Sequence, residues 1–102
     1  MKRDEIIFRL RAHEEELRAA GVTSLALFGS AARGEQHDAS DVDVVVRLTD
    51  EMRSEGFAYF GRLDSLSRRL AEILERPVDI VAEPIRKERL RREIEKDRIV
   101  AF

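Results

Sequence analysis

Apolar residues recur at helical spacing at the start of the chain, where charged residues fill the positions between them. The spacing predicts one amphipathic helix over residues 4–20. Gly21 stands where a glycine commonly ends a helix. The apolar positions that define its buried face are Ile6, Ile7, Leu10 and Leu17.

Three short apolar runs further along the chain have the length and flanking residues of strands: 24–28, 42–48 and 78–81. The middle run contains three consecutive valines without polar alternation, which predicts a strand covered on both faces. Residues 31–40 are small and polar, which indicates a helical turn and loop, and residues 49–56 read as a polar connection.

Two further segments have helical periodicity. Residues 57–74 place apolar side chains at intervals of three and four, which predicts a core-facing helix that ends before Pro77. Pro84 is suited to open a last helix carrying Ile85, Leu90 and Ile94. The order α-β-loop-β-α-β-α predicts an α/β (α+β) fold, with a small mixed sheet of three strands flanked by helices.

The composition fits one globular domain over residues 1–102, because 43% of the residues are hydrophobic and 39% are charged. A formal net charge of −2 disfavours general nucleic-acid binding. The absence of cysteine leaves oxygen atoms and two histidines as metal ligands, which favours hard metals. No continuous apolar stretch resembles a signal peptide or a membrane span, so we expect a cytoplasmic protein.

Three aspartates lie in or beside the predicted strands, at Asp41, Asp43 and Asp79. Asp41 and Asp43 are two residues apart, so both side chains should point to one face at one end of the sheet. A buried carboxylate costs several kcal/mol unless a cation or hydrogen bonds compensate it. Because the neighbouring strands supply no basic residue near this end, we expect Mg²⁺, and three carboxylates can hold two such ions.

A second candidate feature follows the first predicted strand, at Gly29 and Ser30. Glycine lets the backbone approach a ligand closely, and the N–H groups of the next turn can hold a phosphate. Ser30 adds a hydroxyl donor. Arg33 is near enough in sequence to reach the same phosphate, although an arginine that faces solvent is an equally good interpretation.

These two features together resemble a known signature. The string LFGSAARGEQHDASDVD, with ten residues between Ser30 and Asp41, is similar to the G-S and D-x-D pattern of polymerase-beta-like nucleotidyltransferases. PVDIV resembles the strand that carries their third carboxylate, here Asp79. The resemblance is greatest to the minimal nucleotidyltransferases, and it implies that a nucleoside triphosphate such as ATP binds with Mg²⁺. It also implies that Asp41 and Asp43 bind the metal of the nucleotide, while Asp79 helps to hold the metal that activates the acceptor hydroxyl.

The resemblance implies an enzyme that transfers AMP, or another nucleotidyl group, to an acceptor. Because the catalytic fold accounts for the whole chain, we expect the acceptor to dock on the surface. Minimal nucleotidyltransferases often act as antitoxins of HEPN toxins, so a HEPN toxin is the expected acceptor. Two alternatives stay open: a non-catalytic antitoxin that neutralises its toxin by occlusion, and transfer to a small molecule. Assembly into a homo-oligomer is also left open.

Several other residues receive no catalytic role. His13 has the spacing of a partly buried helix residue, and His37 beside Asp38 is expected in a solvated loop. Phe57, Tyr59 and Phe60 are interpreted as core or edge packing. Residues 86–98 mix both charges, which is typical of a solvated helix with ion pairs, with partner or nucleic-acid binding as the alternative.

Overall fold

The computed structural model describes residues 2–35 and 41–102. These two stretches contain six helices and four strands. In chain order they are α1 Arg3–Ala12, α2 Glu14–Ala19, β1 Val22–Phe28, α3 Gly29–Arg33, β2 Val42–Leu48, α4 Asp50–Arg53, α5 Phe57–Leu74, β3 Val78–Ala82, α6 Glu88–Asp97 and β4 Ile99–Val100.

The described strands form one mixed sheet in the order β3-β2-β1-β4. β2 pairs in parallel with β3, whereas β1 pairs antiparallel with both β2 and β4. The parallel pair is possible because α5 carries the chain back across the sheet between β2 and β3. The predicted α/β class with a small mixed sheet flanked by helices is therefore confirmed.

Both faces of β2 are covered, as its valine run predicts. Val44 and Val46 pack into the larger core, with the apolar faces of α1, α2 and α5. Val45 faces the opposite side, in a smaller cluster with Phe28 of β1 and Ile94 of α6. All three valines are at most 1% exposed, so charge on this strand can be placed only at its ends.

A fourth strand was not predicted. Ile99 and Val100 pair with Leu27 and Ala26 on the open edge of β1. The Leu25 N–H also donates to the Phe102 carbonyl, at 2.9 Å. A strand of two residues has no detectable periodicity, because it exists only through pairing with an edge that the fold creates.

The first predicted helix is in fact two helices, separated at His13. The His13 N–H donates to the Leu10 carbonyl at 3.1 Å, in place of the Arg9 carbonyl that a continuous helix would use. The His13 ring nitrogen Nδ1 lies 2.9 Å from that Arg9 carbonyl. The side chain thus takes the place of a backbone donor and ends the helix, which hydrophobic spacing alone cannot reveal.

The last helix begins at Glu88, four residues later than the prediction that Pro84 opens it. The Glu83 N–H donates to the Val46 carbonyl at 2.9 Å and keeps the chain extended beyond β3. Helical structure starts only after Lys87, which has extended backbone dihedral angles. The tertiary hydrogen bond therefore outweighs the preference of proline for a first helical turn.

Two smaller predictions also change. The polar connection contains α4, where the Met52 N–H donates to Thr49 Oγ1 at 3.2 Å and the Met52 side chain is buried. Phe57 and Phe60 are 98% and 69% exposed, so their assignment to core packing is wrong. The buried residues of α5 all lie in its second half, because its first turns extend beyond the core. No described helix is long and apolar enough to cross a membrane.

Candidate active site

Asp43 and Asp79 lie side by side at one end of the parallel strand pair. They are direct register partners on β2 and β3, so their side chains leave the same face of the sheet. Asp41 lies one residue before β2. It shares that face with Asp43 because side chains along a strand repeat every two residues. Strand pairing therefore brings together three carboxylates that are separated by as much as 38 positions in sequence.

The electrostatics of the three aspartates show uncompensated negative charge. Burial raises the pKa of Asp43, and the charges of Asp79 and Asp41 raise it further, while Arg33 lowers it only weakly. Burial also raises the pKa of Asp79, as do the charge of Asp41 and a hydrogen bond between the two carboxyl groups. Burial and neighbouring negative charge thus both disfavour the ionised forms of Asp43 and Asp79, and a bound cation would offset that charge.

Gly29 is required at the end of β1 by its contact with Asp43. Phe28 is the register partner of Asp43 on the antiparallel side, so the next residue meets the Asp43 carboxylate. Gly29 has a φ of +68°, and a Cβ atom placed on it would lie 2.6 Å from Asp43 Oδ2. The glycine thus makes room for a carboxylate of the site itself, whereas the sequence suggested close approach of a ligand.

A pocket of about 440 Å³ opens beside this contact. One side is formed by the end of β1, the α3 turn with Ser30 and Arg33, and Asp43. The remaining lining comes from α6, through Glu93, Lys96 and Asp97. Asp41 and Asp79 do not line the pocket, so the acidic cluster borders it at Asp43.

Arg33 is engaged by carboxylates and does not face open solvent alone. Its Nη1 lies 2.6 Å from Asp97 Oδ2, and its Nε lies 3.1 Å from Glu35 Oε2. The hydrogen bonds to Glu35 and Asp97 raise the pKa of Arg33. The ion pair to Asp97 joins α3 to α6 across the pocket, so any phosphate that binds Arg33 must compete with Asp97.

The residues present suit a metal ion that arrives with its substrate. Within residues 2–35 and 41–102, no three histidine, cysteine or acidic side chains are arranged to hold a metal ion together. Mg²⁺, however, commonly binds one or two carboxylates and completes its shell with substrate phosphates and water. Asp43 beside Asp79 provides such a pair, with excess negative charge and a pocket large enough for a small ligand next to it.

Sequence reasoning missed the contribution of α6. Charged residues occur on every side of this helix, so no pattern distinguishes Glu93, Lys96 and Asp97 from those in solvent. His13 instead lies at the break between α1 and α2, where it contacts backbone. The predicted solvated loop position of His37 and Asp38 lies outside the described residues.

Paired carboxylates beside a glycine-serine turn and an adjoining pocket are typical of proteins that act on phosphorylated substrates. Comparison with known proteins identifies the family. The profile of the nucleotidyltransferase domain matches residues 10–101, and the chain belongs to that family. Its fold is the polymerase-beta-like fold of the minimal nucleotidyltransferases, as the sequence resemblance implied.

Three similar proteins illustrate the relationship. A Methanocaldococcus jannaschii protein, provisionally named a protein adenylyltransferase, is 36% identical over 92 residues, which are 88% of each chain. The solved structure of a provisionally named minimal nucleotidyltransferase has a TM-score of 0.75 and 29% identity, covering 97% of this chain and 95% of that one. A chain from the complex of a tri-AMPylated Shewanella oneidensis HEPN toxin with its MNT antitoxin has a TM-score of 0.64. Its identity is 18%, over 93% of this chain and 70% of that chain, so this likeness concerns the fold alone.

Proposed function

We propose that this nucleotidyltransferase moves AMP from ATP to a side-chain hydroxyl of a partner protein, with Mg²⁺ at the aspartate cluster. The observation that carries the proposal is the register pairing of Asp43 with Asp79, next to the turn at Gly29 and Ser30. This arrangement brings a carboxylate pair to the edge of a pocket of about 440 Å³. It thus supports a reaction at a phosphorus atom located between the carboxylates and the turn.

The chain's own residues would bind and orient the two reactants. The Ser30 hydroxyl and the backbone N–H groups of the α3 turn would hold the phosphates in the pocket. Asp41 and Asp43 would hold the Mg²⁺ of the nucleotide, and Asp79 the ion beside the acceptor. When bound, Mg²⁺ would neutralise phosphate charge and lower the pKa of the attacking hydroxyl.

The proposed transfer is a single displacement at the α-phosphorus. The acceptor oxygen forms a bond to this phosphorus, and the bond from the phosphorus to the oxygen that bridges to the β-phosphate breaks. Pyrophosphate leaves with the electron pair of the broken bond, and the hydroxyl proton passes to solvent. Positioning and electrostatic stabilisation account for most of the rate enhancement in reactions of this type.

A HEPN toxin is the proposed acceptor, which would make the protein an antitoxin. Two comparisons support this proposal: the M. jannaschii relative is named for adenylyl transfer to protein, and a fold neighbour comes from a complex with an AMPylated HEPN toxin. Transfer, as opposed to occlusion, is favoured because the full set of aspartates is retained beside the pocket.

The first experiment tests nucleotide binding. ATP with Mg²⁺ should raise the melting temperature of the wild-type protein, since a ligand that binds only the native state stabilises it. The double substitution Asp41→Asn with Asp43→Asn should abolish this shift. Asp64→Asn is a matched control, because it removes a carboxylate from the exposed part of α5. An equal shift in the double variant would place the nucleotide elsewhere.

The second experiment separates transfer from occlusion. The protein is incubated with Mg²⁺, ATP labelled on its α-phosphate, and a purified candidate HEPN toxin. We expect label on the partner, and we expect Asp79→Asn to retain most of the ATP-dependent thermal shift while losing the labelling. Full neutralisation of the toxin in cells by Asp79→Asn would contradict catalysis and favour occlusion.

A further inference from the structure

Helix α6 supplies a wall of the nucleotide pocket that carries its own charges. Glu93, Lys96 and Asp97 are spaced at three and four residues, so they project from one side of the helix. Ile94 on the adjoining side is buried against β1 and fixes α6 to the sheet. The wall is therefore anchored by the core, and its charged residues have defined positions relative to Ser30 and Asp43.

The pocket has more fixed negative charge than positive charge available to a ligand. Among the residues that the structure describes, three carboxylates line it, from Asp43, Glu93 and Asp97, against two basic side chains, Arg33 and Lys96. Arg33 already binds two carboxylates, which leaves little of its charge for an anion. In the part of the chain that the structure describes, Lys96 forms no ion pair. Lys96 is thus the cation of this pocket that can meet a phosphate without first breaking another contact.

We propose that Lys96 is a phosphate-binding residue of this site and that it binds the terminal phosphates of the nucleotide. The proposal rests on the proposed nucleotide binding and extends it to a residue outside the recognised signature. Lysine binds phosphate as a compact point charge on a flexible stem, which suits an exposed position on a pocket wall. Because Asp43 lines the pocket from the sheet and Lys96 lines it from α6, the α-phosphate would lie near the aspartates and the terminal phosphates near α6.

The test compares Lys96→Ala with Lys87→Ala. Lys87 is an exposed lysine that precedes the first turn of the same helix and does not line the pocket. Nine residues of helix separate the two positions by roughly 13 Å. Both substitutions remove one positive charge from an exposed position, so neither should unfold the protein.

Calorimetric titration would measure the dissociation constants of ATP, ADP and AMP, each with Mg²⁺. Lys96→Ala should weaken ATP binding by about 10-fold or more, since hydrogen bonds to charged groups are among the stronger ones. The effect should decrease for ADP and disappear for AMP. Lys87→Ala should change the three constants by less than about 2-fold, as expected for a screened charge outside the pocket. Lys96→Arg should retain most of the affinity.

Three results would overturn the proposal. Equal effects of Lys96→Ala and Lys87→Ala on ATP would show that only the overall charge matters. Equal loss for ATP, ADP and AMP would show that Lys96 supports the pocket without binding the terminal phosphates. Failure of the wild-type protein to bind ATP would remove the proposed function and this assignment together, whereas the first two results leave the proposed function intact.

Discussion

Gly29→Ala should destabilise the protein through one identifiable contact with the candidate site. Glycine adopts a positive φ without strain, whereas an L-residue in the left-handed region costs about 1–2 kcal/mol. The new Cβ would also lie 2.6 Å from Asp43 Oδ2, well inside the 3.4 Å at which ordinary contact begins. The Asp43 carboxylate must move away, and a side chain forced off its rotamer costs about 0.5–1.5 kcal/mol.

The two costs together predict a loss of about 1.5–3.5 kcal/mol in the free energy of unfolding. For a domain of this size, each kcal/mol corresponds to about 4–8 °C in melting temperature. Urea denaturation of the nucleotide-free protein, followed by circular dichroism, would measure the loss directly. Nucleotide binding should weaken as well, since the displaced carboxylate belongs to the proposed metal site.

Gly34→Ala is the matched control. Gly34 has a φ of +73°, but an added Cβ would meet nothing within 4 Å, so this variant reports the backbone cost alone. A double-mutant cycle of Gly29→Ala with Asp43→Ala isolates the cost of the contact between the new Cβ and the Asp43 carboxylate. In an Asp43→Ala background the side-chain atom that remains at position 43 is Cβ, at an ordinary 3.7 Å, so Gly29→Ala should then cost no more than Gly34→Ala. Equal losses for the two glycine variants in the wild-type background, or no coupling in the cycle, would refute the reasoning.

Three further outcomes follow from the charges. Asp43→Asn should raise the melting temperature of the nucleotide-free protein at neutral pH, because the raised pKa of Asp43 means that folding disfavours its ionised form; a lower melting temperature would contradict this. Asp97→Asn should tighten the binding of ATP with Mg²⁺ more than Glu93→Gln does, because Asp97 forms an ion pair with Arg33 and its loss frees that arginine for phosphate. In an Arg33→Ala background the two substitutions should have equal effects on ATP affinity. Glu83 is partly buried, which raises its pKa, but hydrogen bonds to two arginines outweigh this and lower the pKa below its ordinary value. The ion pairs therefore stabilise the protein above the ordinary glutamate pKa, and this stabilisation is lost as the pH falls through the lowered pKa of the folded state. Thermal melts of wild type and Glu83→Gln should therefore converge in acid, and a constant difference across this range would argue against the ion pairs.

The sequence alone was sufficient for the features that depend on local patterns. The apolar run from Val42 to Leu48 forms a strand covered on both faces, because three consecutive β-branched residues favour that environment. The period of two places Asp41 and Asp43 on one face of the strand end. The spacing of Ser30 from these aspartates identified the family, which the comparison with known proteins confirms.

Other features depend on contacts between residues far apart in the chain. The pairing of Asp79 with Asp43 depends on the parallel register of β2 and β3, and the break at His13 depends on one side-chain contact with the backbone. β4 exists because β1 offers a free edge. These features were either inferred by resemblance or missed, since periodicity describes which face a residue occupies and not which residue lies opposite.

The difference between the features that the sequence predicts and those that it does not has a physical cause. Hydrophobic period and strand length follow from short-range sterics and burial, so they can be read along the chain. The meaning of a charge is set by what surrounds it: Lys96 and Lys87 are both exposed lysines at the two ends of one helix, yet only Lys96 lines the pocket. The sequence determined the strands, the carboxylates and the family, and the tertiary structure alone decided which charges of α6 face the site, because Ile94 packing against β1 sets the rotation of that helix.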